Sequence, residues 1–473
     1  MLQNKYLSKL TLGVFVLFLS VFGFEINTAF GQHAKDSLQI RRMFDLALEN
    51  GKSYENLRTL CKGVGSRISG SKAADSAVSW GYHLLKSMWV DTVYKLPVMV
   101  PQWVRGTVEK AFIFHDDTKL NITALGGSVP TNGLLKAGVV VANGVEDLER
   151  LGEKQIRGKI VFFNKAFDPK TINAFEAYGA CVAQRYGGAS KAAEYGAVGV
   201  LVRSMTHKLD NNPHTGSIGY EDSLHKIPAA AISTEHAEML LSRLKEKPNL
   251  NIAMRLNCKT LPDKLSYNVV AEIRGEKKPE SIITVGGHLD SWDIGEGAHD
   301  DGAGVVHSIE LLRLIRTNGY RPRHTIRVVL FMNEENGNRG GKGYAQWVKN
   351  KKEKHIMALE SDGGGHTPRG FNISASDTQF NYIAKFRSLL EPYGCHVFKK
   401  STWGGGVDIN PLKMDKSLSI NPDMILLGFL PDSQRYFDFH HAQTDVFENV
   451  HKRELELGAG SIGAMVFLID KYF

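Results

Sequence analysis

The chain has 473 residues, with 58 Lys and Arg against 50 Asp and Glu, and its formal net charge is +8 at pH 7. Hydrophobic residues make up 42% and charged residues 23%, which excludes a disordered chain, a collagen-like repeat and a multi-span membrane protein. At roughly 150 residues per domain, the length predicts two or three domains. The one dense basic cluster, residues 349–354, contains a Glu and indicates a solvated helix end, so we expect no nucleic-acid partner.

The first 31 residues are predicted to be a signal peptide. Lys5 and Lys9 precede an uncharged run, Leu10–Phe24, that is too short to span a bilayer core of about 30 Å as a helix. Small residues at Ala29 and Gly31 place the cleavage after residue 31. We therefore expect an exported protein (secreted, periplasmic or otherwise extracytoplasmic) with no stable membrane insertion, and an uncleaved N-terminal anchor is the alternative. Export permits disulfides, and for the four cysteines one bridge, two bridges or four buried thiols all stay open.

Residues 32–125 begin the mature chain with helices and continue with strands. Apolar residues recur every three or four positions from Asp36 to about Trp89, which predicts helices. Strands are predicted at Val98–Val104 and Thr107–Phe114. Because proline cannot donate to a central ladder, Pro101 indicates an edge or interrupted strand.

Residues 126–258 have the pattern of a separate, β-rich α+β domain inserted into the chain. Apolar runs between glycines and charged turns predict strands at residues 138–142, 159–164, 198–202 and 229–232. Helices are predicted at residues 189–195 and 235–245. We expect residues 32–125 and 259–473 to form one discontinuous domain around this insert.

After residue 259, strands and helices alternate. Strands are predicted at residues 282–286, 325–332 and 356–360, with helices at residues 302–316 and 341–350. This alternation predicts an α/β fold, with a mostly parallel central sheet and helices on both faces. In such sheets, functional sites form at the carboxyl ends of the strands.

Acidic and imidazole side chains follow these strands and recur near the C-terminus. They are His288, Asp290, Asp300, Asp301, Glu334, Glu335, Asp362, His440, His441 and Asp445. So many carboxylates in one crevice would resist ionisation without a cation. Imidazole and carboxylate without thiolate favour zinc, and less sharply manganese or cobalt. Asp300, at a helix N-terminus, is placed to bridge two metal ions, whereas Asp301 is predicted to cap that helix.

The order His288-x-Asp290, Asp300-Asp301-Gly302, Glu334-Glu335, Asp362 and His441-x-x-x-Asp445 resembles the co-catalytic di-zinc exopeptidases of the aminopeptidase and glutamate carboxypeptidase type. Residues 360–363, 404–412 and 436–441 are similar to the plasma glutamate carboxypeptidase branch of that family. The resemblance covers nearly the whole mature chain. It implies a zinc-exopeptidase, phosphorylase/hydrolase-like fold, with residues 126–258 as a protease-associated insert.

The resemblance also implies roles for single residues. Two zinc ions per chain would be held by His288 and Asp362 on one side, by Glu335 and His441 on the other, and by Asp300 as the bridge. Glu334 would be the general base that activates a water between the metals, and Asp290 would orient the imidazole of His288 through its carboxylate. His441 is preferred to His440 because it keeps the family's His-x-x-x-Asp spacing. The family usually has Thr after that Asp, where this chain has Val446.

The expected function is an exported, zinc-dependent exopeptidase that hydrolyses dipeptides or short peptides with free termini, as a carboxypeptidase or dipeptidase. An aminopeptidase on the same site is the alternative, because the sequence does not locate the group that anchors the charged terminus. A non-catalytic binding protein on this fold would be expected to have lost ligands. A zinc cyclase acting on N-terminal glutamine usually has a single metal. Whether the chain forms a homodimer stays open.

Overall fold

The structure is a computed structural model that describes residues 33–473. Its strands form two eight-stranded sheets. The predicted signal peptide, residues 1–31, lies outside the described residues. None of the helices in residues 33–473 is long and apolar enough to cross a membrane.

The α-helices are α1 (33–50), α2 (Ser53–Gly63), α3 (Lys72–Ser87), α4 (Asp147–Ile156), α5 (Ala174–Cys181), α6 (Ala183–Tyr186), α7 (Gly188–Glu194), α8 (Thr234–Glu246), α9 (Ala303–Thr317), α10 (Arg339–Lys351), α11 (Asp377–Ile383), α12 (Arg387–Leu390) and α13 (Lys452–Tyr472). The strands are β1 (Thr92–Val104), β2 (Glu109–Ile113), β3 (Lys119–Leu120), β4 (Ile122–Ala124), β5 (Leu135–Ala142), β6 (Ile160–Phe163), β7 (Gly199–Arg203), β8 (Ala229–Ile232), β9 (Asn251–Leu256), β10 (Lys259–Ile273), β11 (Lys278–His288), β12 (His324–Phe331), β13 (Lys354–Glu360), β14 (Pro368–Ser374), β15 (Val397–Lys400) and β16 (Ile425–Pro431).

The first sheet has the order β1-β10-β12-β11-β13-β16-β14-β15. Its central strands β12, β11, β13 and β16 run parallel, and β1, β10 and β14 are antiparallel to their inner neighbours. Successive residues of β12 point to opposite faces: Val328 and Leu330 join the core that contains α3, α9 and α13, whereas Val329 and Phe331 pack with α10. Because both faces are covered, the central strands are buried over most of their length. The predicted α/β fold is confirmed.

The parallel strands bring the predicted site residues to one edge of this sheet. β11 ends at His288, which pairs with Phe331, the last residue of β12. Glu334 follows β12 by three residues, and Asp362 follows the end of β13 by two. A crevice at the carboxyl ends of these three strands therefore collects their polar side chains.

The second sheet has the order β3-β2-β9-β5-β6-β7-β8-β4. It begins at Glu109, because β2 pairs with β9 and β4 pairs with β8. The boundary that we predicted at residue 126 is therefore too late: β2, β3 and β4 belong to the inserted sheet, although they precede the β-rich runs on which the prediction depended. β1 and β10 pair along their length, from Thr92 with Glu272 to Val104 with Lys259, and lead into and out of the insert.

Two smaller features also bear on the sequence predictions. β1 is an edge strand whose register shifts between Val100 and Gln102, so Pro101 lies at an irregularity, as predicted. All four cysteines are free and buried. Of the alternatives left open for them, the structure has four buried thiols.

Candidate metal centre

Asp300 lies between two buried imidazoles. Its Oδ1 is 3.2 Å from His288 Nε2, and its Oδ2 is 3.2 Å from His441 Nε2. The residue belongs to the turn Ala298–Gly302 that leads into α9, and the peptide bond between Asp300 and Asp301 is cis. Because its two oxygens face different histidines, this carboxylate is placed to bridge two cations.

A second carboxylate accompanies each imidazole. Asp362 Oδ1 is 3.5 Å from His288 Nε2, and Glu335 Oε2 is 3.2 Å from His441 Nε2. Asp300 is common to both groups. The structure thus brings together the five side chains that the sequence singled out as ligands.

The donor set fits zinc in type and in spacing. Imidazole nitrogen and carboxylate oxygen are zinc ligands, and two ligands on one tetrahedral zinc lie about 3.3–3.5 Å apart when each bond is about 2.0–2.2 Å long. The four nitrogen–oxygen separations here lie between 3.2 and 3.5 Å. Asp300 Oδ2 and Glu335 Oε1 are buried and make no hydrogen bond with any other described residue. Cations between these atoms would satisfy them.

The protein leaves an excess of buried negative charge at this centre. Burial, and then the charge of Asp300, raises the pKa of Glu335 to about 7. Burial and the neighbouring Asp362 raise the pKa of Glu334 well above its ordinary value. Burial alone would raise the pKa of Asp300, but its contacts with His288 and then His441 outweigh burial and hold that pKa well below the usual range. Divalent cations stabilise such grouped carboxylates in their charged form.

His288 is oriented by the main chain of Asp290. Its Nδ1 is 2.9 Å from the main-chain oxygen of Asp290, whereas the carboxylate Oδ1 is 3.9 Å away. That carboxylate oxygen instead accepts hydrogen bonds from the main-chain N–H groups of Asn333, at 2.7 Å, and Glu334, at 3.1 Å. The expected carboxylate–imidazole contact is thus corrected to a main-chain contact, because the Asp290 side chain turns toward the end of β12 and holds the turn that carries Glu334.

Glu334 differs from the ligands in its surroundings. Its side chain is partly exposed, and its carboxylate makes no hydrogen bond within residues 33–473. It also lies close enough to Asp362 and Glu335 to feel their charges. This carboxylate is therefore free to accept a proton from a molecule in the crevice.

Two further carboxylates position the turn that carries Asp300. The oxygens of Asp301 accept main-chain N–H groups at 2.9 Å, one of them from Gly304 at the start of α9. Asp301 therefore caps this helix. Asp445 accepts the N–H groups of His299 at 2.7 Å and of Asp300 at 3.1 Å.

The inserted domain contacts the centre from the side of His441. His441 Nδ1 is 3.3 Å from the main-chain oxygen of Thr215, and the Thr215 N–H donates to the main-chain oxygen of His441 at 2.9 Å. The Ser217 hydroxyl donates to the main-chain oxygen of Glu335 at 2.5 Å. A proton held on Nδ1 by Thr215 leaves Nε2 free to bind a metal. His440 stacks on His441, but its Nε2 is 3.8 Å from Asp300.

Arg185 of α6 is a buried cation beside the same histidine. It is 6% exposed, its NH1 is 3.3 Å from His441 Nδ1, and its NH2 donates to the Tyr178 hydroxyl at 2.8 Å. Its Nε makes no hydrogen bond, and no carboxylate of residues 33–473 lies within ion-pairing distance. Gly216 makes room for the guanidinium, since a Cβ there would lie 2.4 Å from NH1. A buried charge without a counter-charge is costly, so this group favours an anion in the crevice.

Sequence reasoning missed the residues that reach the centre from elsewhere in the chain. Arg67 is fully buried and donates to the main-chain oxygens of Leu289 at 2.6 Å, Glu296 at 2.5 Å and Gly297 at 2.9 Å, which holds the loop between β11 and Asp300. Arg185 and the Thr215 main chain were missed as well. None of them belongs to a sequence motif. Each contacts residues that are distant in sequence and come close only when the chain folds.

Comparisons with known proteins agree with this geometry. Residues 268–461 match the model of peptidase family M28. Human carboxypeptidase Q is 34% identical over 420 residues, which cover 88% of this chain and 85% of that protein. The crystal structure of a peptidase M28 precursor from Shewanella amazonensis SB2B superposes with a TM-score of 0.87 at 32% identity, covering 93% of this chain and 97% of that one. BSAP, a zinc aminopeptidase from Bacillus subtilis, shares the fold, with a TM-score of 0.62 at 19% identity, covering 88% and 94%.

Proposed function

Because this chain belongs to peptidase family M28 and is a zinc-dependent exopeptidase, we propose that it acts as a carboxypeptidase or dipeptidase on dipeptides and short peptides. The proposal depends on the buried positive charge beside one end of the metal centre. A free C-terminus is an anion, and the buried Arg185 beside the metal ligand His441 has no anionic partner among the described residues. The name of the human relative, carboxypeptidase Q, supports the same direction.

Arg185 is available to a substrate because its neighbours among the described residues use only part of its hydrogen-bonding capacity. With Nε2 on a metal, His441 Nδ1 would carry the proton and donate it to Thr215, so it would not accept a hydrogen bond from NH1. Nε has no acceptor, and only NH2 has one, the Tyr178 hydroxyl. Nε and NH1 can therefore take a carboxylate with charge-assisted hydrogen bonds, and the C-terminal residue of the peptide would lie on the His441 side of the centre.

Two zinc ions per chain are part of the proposal. His288 and Asp362 would hold one, Glu335 and His441 the other, and Asp300 would contact both. Zinc at such a site polarises the scissile carbonyl and lowers the pKa of water. Four of the five proposed ligands, all except Asp362, are buried, which keeps bulk solvent away from their atoms.

Glu334 is proposed as the general base. Its carboxylate has no hydrogen-bond partner in residues 33–473, and the turn that carries it is held by Asp290. It would take a proton from the attacking water and pass it to the leaving amine. Asp290 would then be a positioning residue, because it touches the main chain of Glu334 and not the substrate.

The second candidate, an aminopeptidase on the same centre, would have to bind a protonated α-amine. Arg185 would repel that cation on the His441 side. The test is a panel of dipeptides with N-blocked and C-blocked members, assayed after chelation and after zinc is added back. Zinc-dependent cleavage of N-blocked but not C-blocked members is expected. The reverse pattern would support the aminopeptidase, and turnover that survives chelation would contradict the zinc centre.

Export is the remaining element of the proposal. It depends on the sequence of residues 1–31 alone: two lysines, an apolar run and small residues before the cleavage position. The mature protein should begin at Gln32. Mass spectrometry of protein recovered outside the cytoplasm measures this terminus, and a full-length mass would contradict cleavage.

A further inference from the structure

A large cavity adjoins the metal centre on the side of Asp362. Its volume is about 540 Å³, within the range of about 300–1,000 Å³ that is usual for sites that bind small organic molecules. Asp362 and Gly363, which follow β13, form part of its wall. A group held in the cavity therefore lies next to one of the proposed zinc ligands.

The walls of the cavity are mostly apolar and come from both domains. The insert contributes Ile172 and Phe175. The catalytic domain contributes Val397, Val407, Phe429, Leu430 and Pro431. Ile172 is 85% exposed, and Val407 is 41% exposed. Apolar surface left open at the edge of an active site is covered favourably by an apolar group of the ligand.

The charged residues of the cavity are compensated within the protein. Arg369 donates through Nε and NH2 to Asp432 Oδ2 at 3.1 and 2.8 Å. The Lys399 side chain is 61% exposed, and its Nζ lies 3.9 Å from Glu176. This side of the centre thus differs from the other side, where Arg185 has no counter-charge. Arg369 and Lys399 each face an acidic side chain, so the surface that the cavity offers to a ligand is mainly apolar.

Glu360 also borders the cavity but is directed into the protein. It is 2% exposed, and its Oε2 accepts the N–H groups of Asp408 and Ile409 at 2.9 Å each. It therefore supports the loop that carries Val407 and does not offer an acidic group to a ligand.

The wall from the insert is held in place. Gln434 Nε2 donates to the main-chain oxygen of Ile172 at 2.6 Å. The Phe175 ring stacks on Tyr436, with centroids 5.2 Å apart and an angle of 21° between the rings. Because the Ile172 main chain and the Phe175 ring are held against the catalytic domain, this wall of the cavity is formed before a ligand enters.

We infer that this cavity binds the residue on the amino side of the scissile bond and selects a large hydrophobic side chain there, with Ile172 as a specificity-determining residue. The inference rests on the proposed function, in which Arg185 holds the C-terminal residue on the His441 side of Asp300. The residue before the scissile bond then lies on the Asp362 side, where the cavity opens. Its volume and its paired charges favour Phe or Leu over Ala, Glu or Lys.

The test is a series of N-acetyl dipeptides with Phe, Leu, Ala, Glu or Lys before a common C-terminal Ala. The zinc-loaded protein should hydrolyse the Phe member with a kcat/KM about 10-fold or more above that of the Ala member. Ile172→Ser should lower kcat/KM for the Phe member by about 3- to 10-fold and leave the Ala member nearly unchanged, since only the large side chain reaches this wall. Leu209→Ser is the matched control, because Leu209 is 62% exposed in the same insert and does not line the cavity.

A second readout separates the cavity from catalysis. N-acetylphenylalaninamide should bind the metal-free protein more tightly than N-acetylalaninamide by calorimetry, and Ile172→Ser should remove most of the difference. Equal rates across the side chains, or a preference for Glu or Lys, would overturn the inference while leaving the carboxypeptidase intact. If only C-blocked peptides are cleaved, the proposed polarity fails. In that case the two amides alone test whether the cavity prefers a large hydrophobic side chain, and equal binding of the two would overturn the inference.

Discussion

The carboxylate of Asp445 holds the main chain of Asp300. Its Oδ2 accepts the Asp300 N–H at 3.1 Å, and its Oδ1 accepts the N–H of the preceding residue, His299, at 2.7 Å. The C-terminal part of the chain thereby sets the position of the carboxylate that lies between the two imidazoles. Any influence of Asp445 on the metal centre passes through the position of Asp300.

Asp445→Asn should weaken zinc binding by about 10- to 100-fold, the usual effect of losing a group that orients metal ligands. An amide has one acceptor oxygen, so it can keep only one of the two main-chain hydrogen bonds. Competition against a fluorescent chelator measures the zinc affinity. Asp438→Asn is the control, since Asp438 lies in the same segment and, within residues 33–473, its carboxylate accepts only from the Thr206 hydroxyl at 3.4 Å. Unchanged affinity in the Asp445 variant would show that the turn is held by other contacts.

Glu334→Gln should lower kcat by about 10²- to 10⁴-fold while the zinc content stays the same. The amide keeps the shape of the side chain but cannot take a proton from water. Steady-state kinetics on an N-blocked dipeptide and metal analysis of the same sample check both parts. The neighbouring variant Glu335→Gln should instead lose zinc, because Glu335 lies 3.2 Å from His441 Nε2. Substantial remaining turnover in Glu334→Gln would rule out its role as the base.

Arg185→Met should reduce kcat/KM for peptides with a free C-terminus by about 10- to 100-fold, which corresponds to loss of hydrogen bonds to a charged group. Methionine keeps an unbranched side chain but removes the charge. Any residual turnover of C-amidated peptides should be unaffected, so the ratio of the two substrates is the readout. Arg203→Met is a matched control, because Arg203 is a buried arginine of the insert whose NH1 donates to Glu238. Equal losses on both substrates would indicate a structural role.

The stability of the metal-free protein should decrease between pH 6.5 and about 4, in part through His307. Burial lowers the pKa of His307 from 6.5 to about 4. Below pH 6.5 the unfolded chain binds a proton that the folded protein takes up only near pH 4, so the free energy of unfolding falls as the pH falls, by at most about 3 kcal/mol from this group. Chemical denaturation across this range should give a smaller slope for His307→Gln, whose amide can replace the contacts with Ser361 and Leu455. Parallel slopes for the two proteins would contradict the prediction.

The alternation of strands and helices in the catalytic domain, and the position of its polar residues, could be predicted from local sequence patterns. Apolar runs such as residues 328–331 of β12 must be covered on both faces, and parallel strands place their carboxyl ends at one edge. His288 ends such a strand, and Glu334 and Asp362 each follow one within three residues, so their convergence follows from the order of elements. The order of carboxylates and imidazoles along the chain was also sufficient to identify zinc chemistry and the family.

Contacts between distant segments could not be predicted from local sequence patterns. Arg185 and Thr215 reach His441 across more than 200 residues, and no sequence spacing encodes that approach. The insert begins at Glu109 because β2 pairs with β9, a partner about 140 residues away. Asp290 was expected to contact His288 through its carboxylate, but its side-chain orientation depends on the two N–H groups that the end of β12 presents. Local patterning thus decides which groups lie at the strand ends. Their partners depend on the packing of the insert against the catalytic domain, and so does the side of the metal centre on which Arg185 lies.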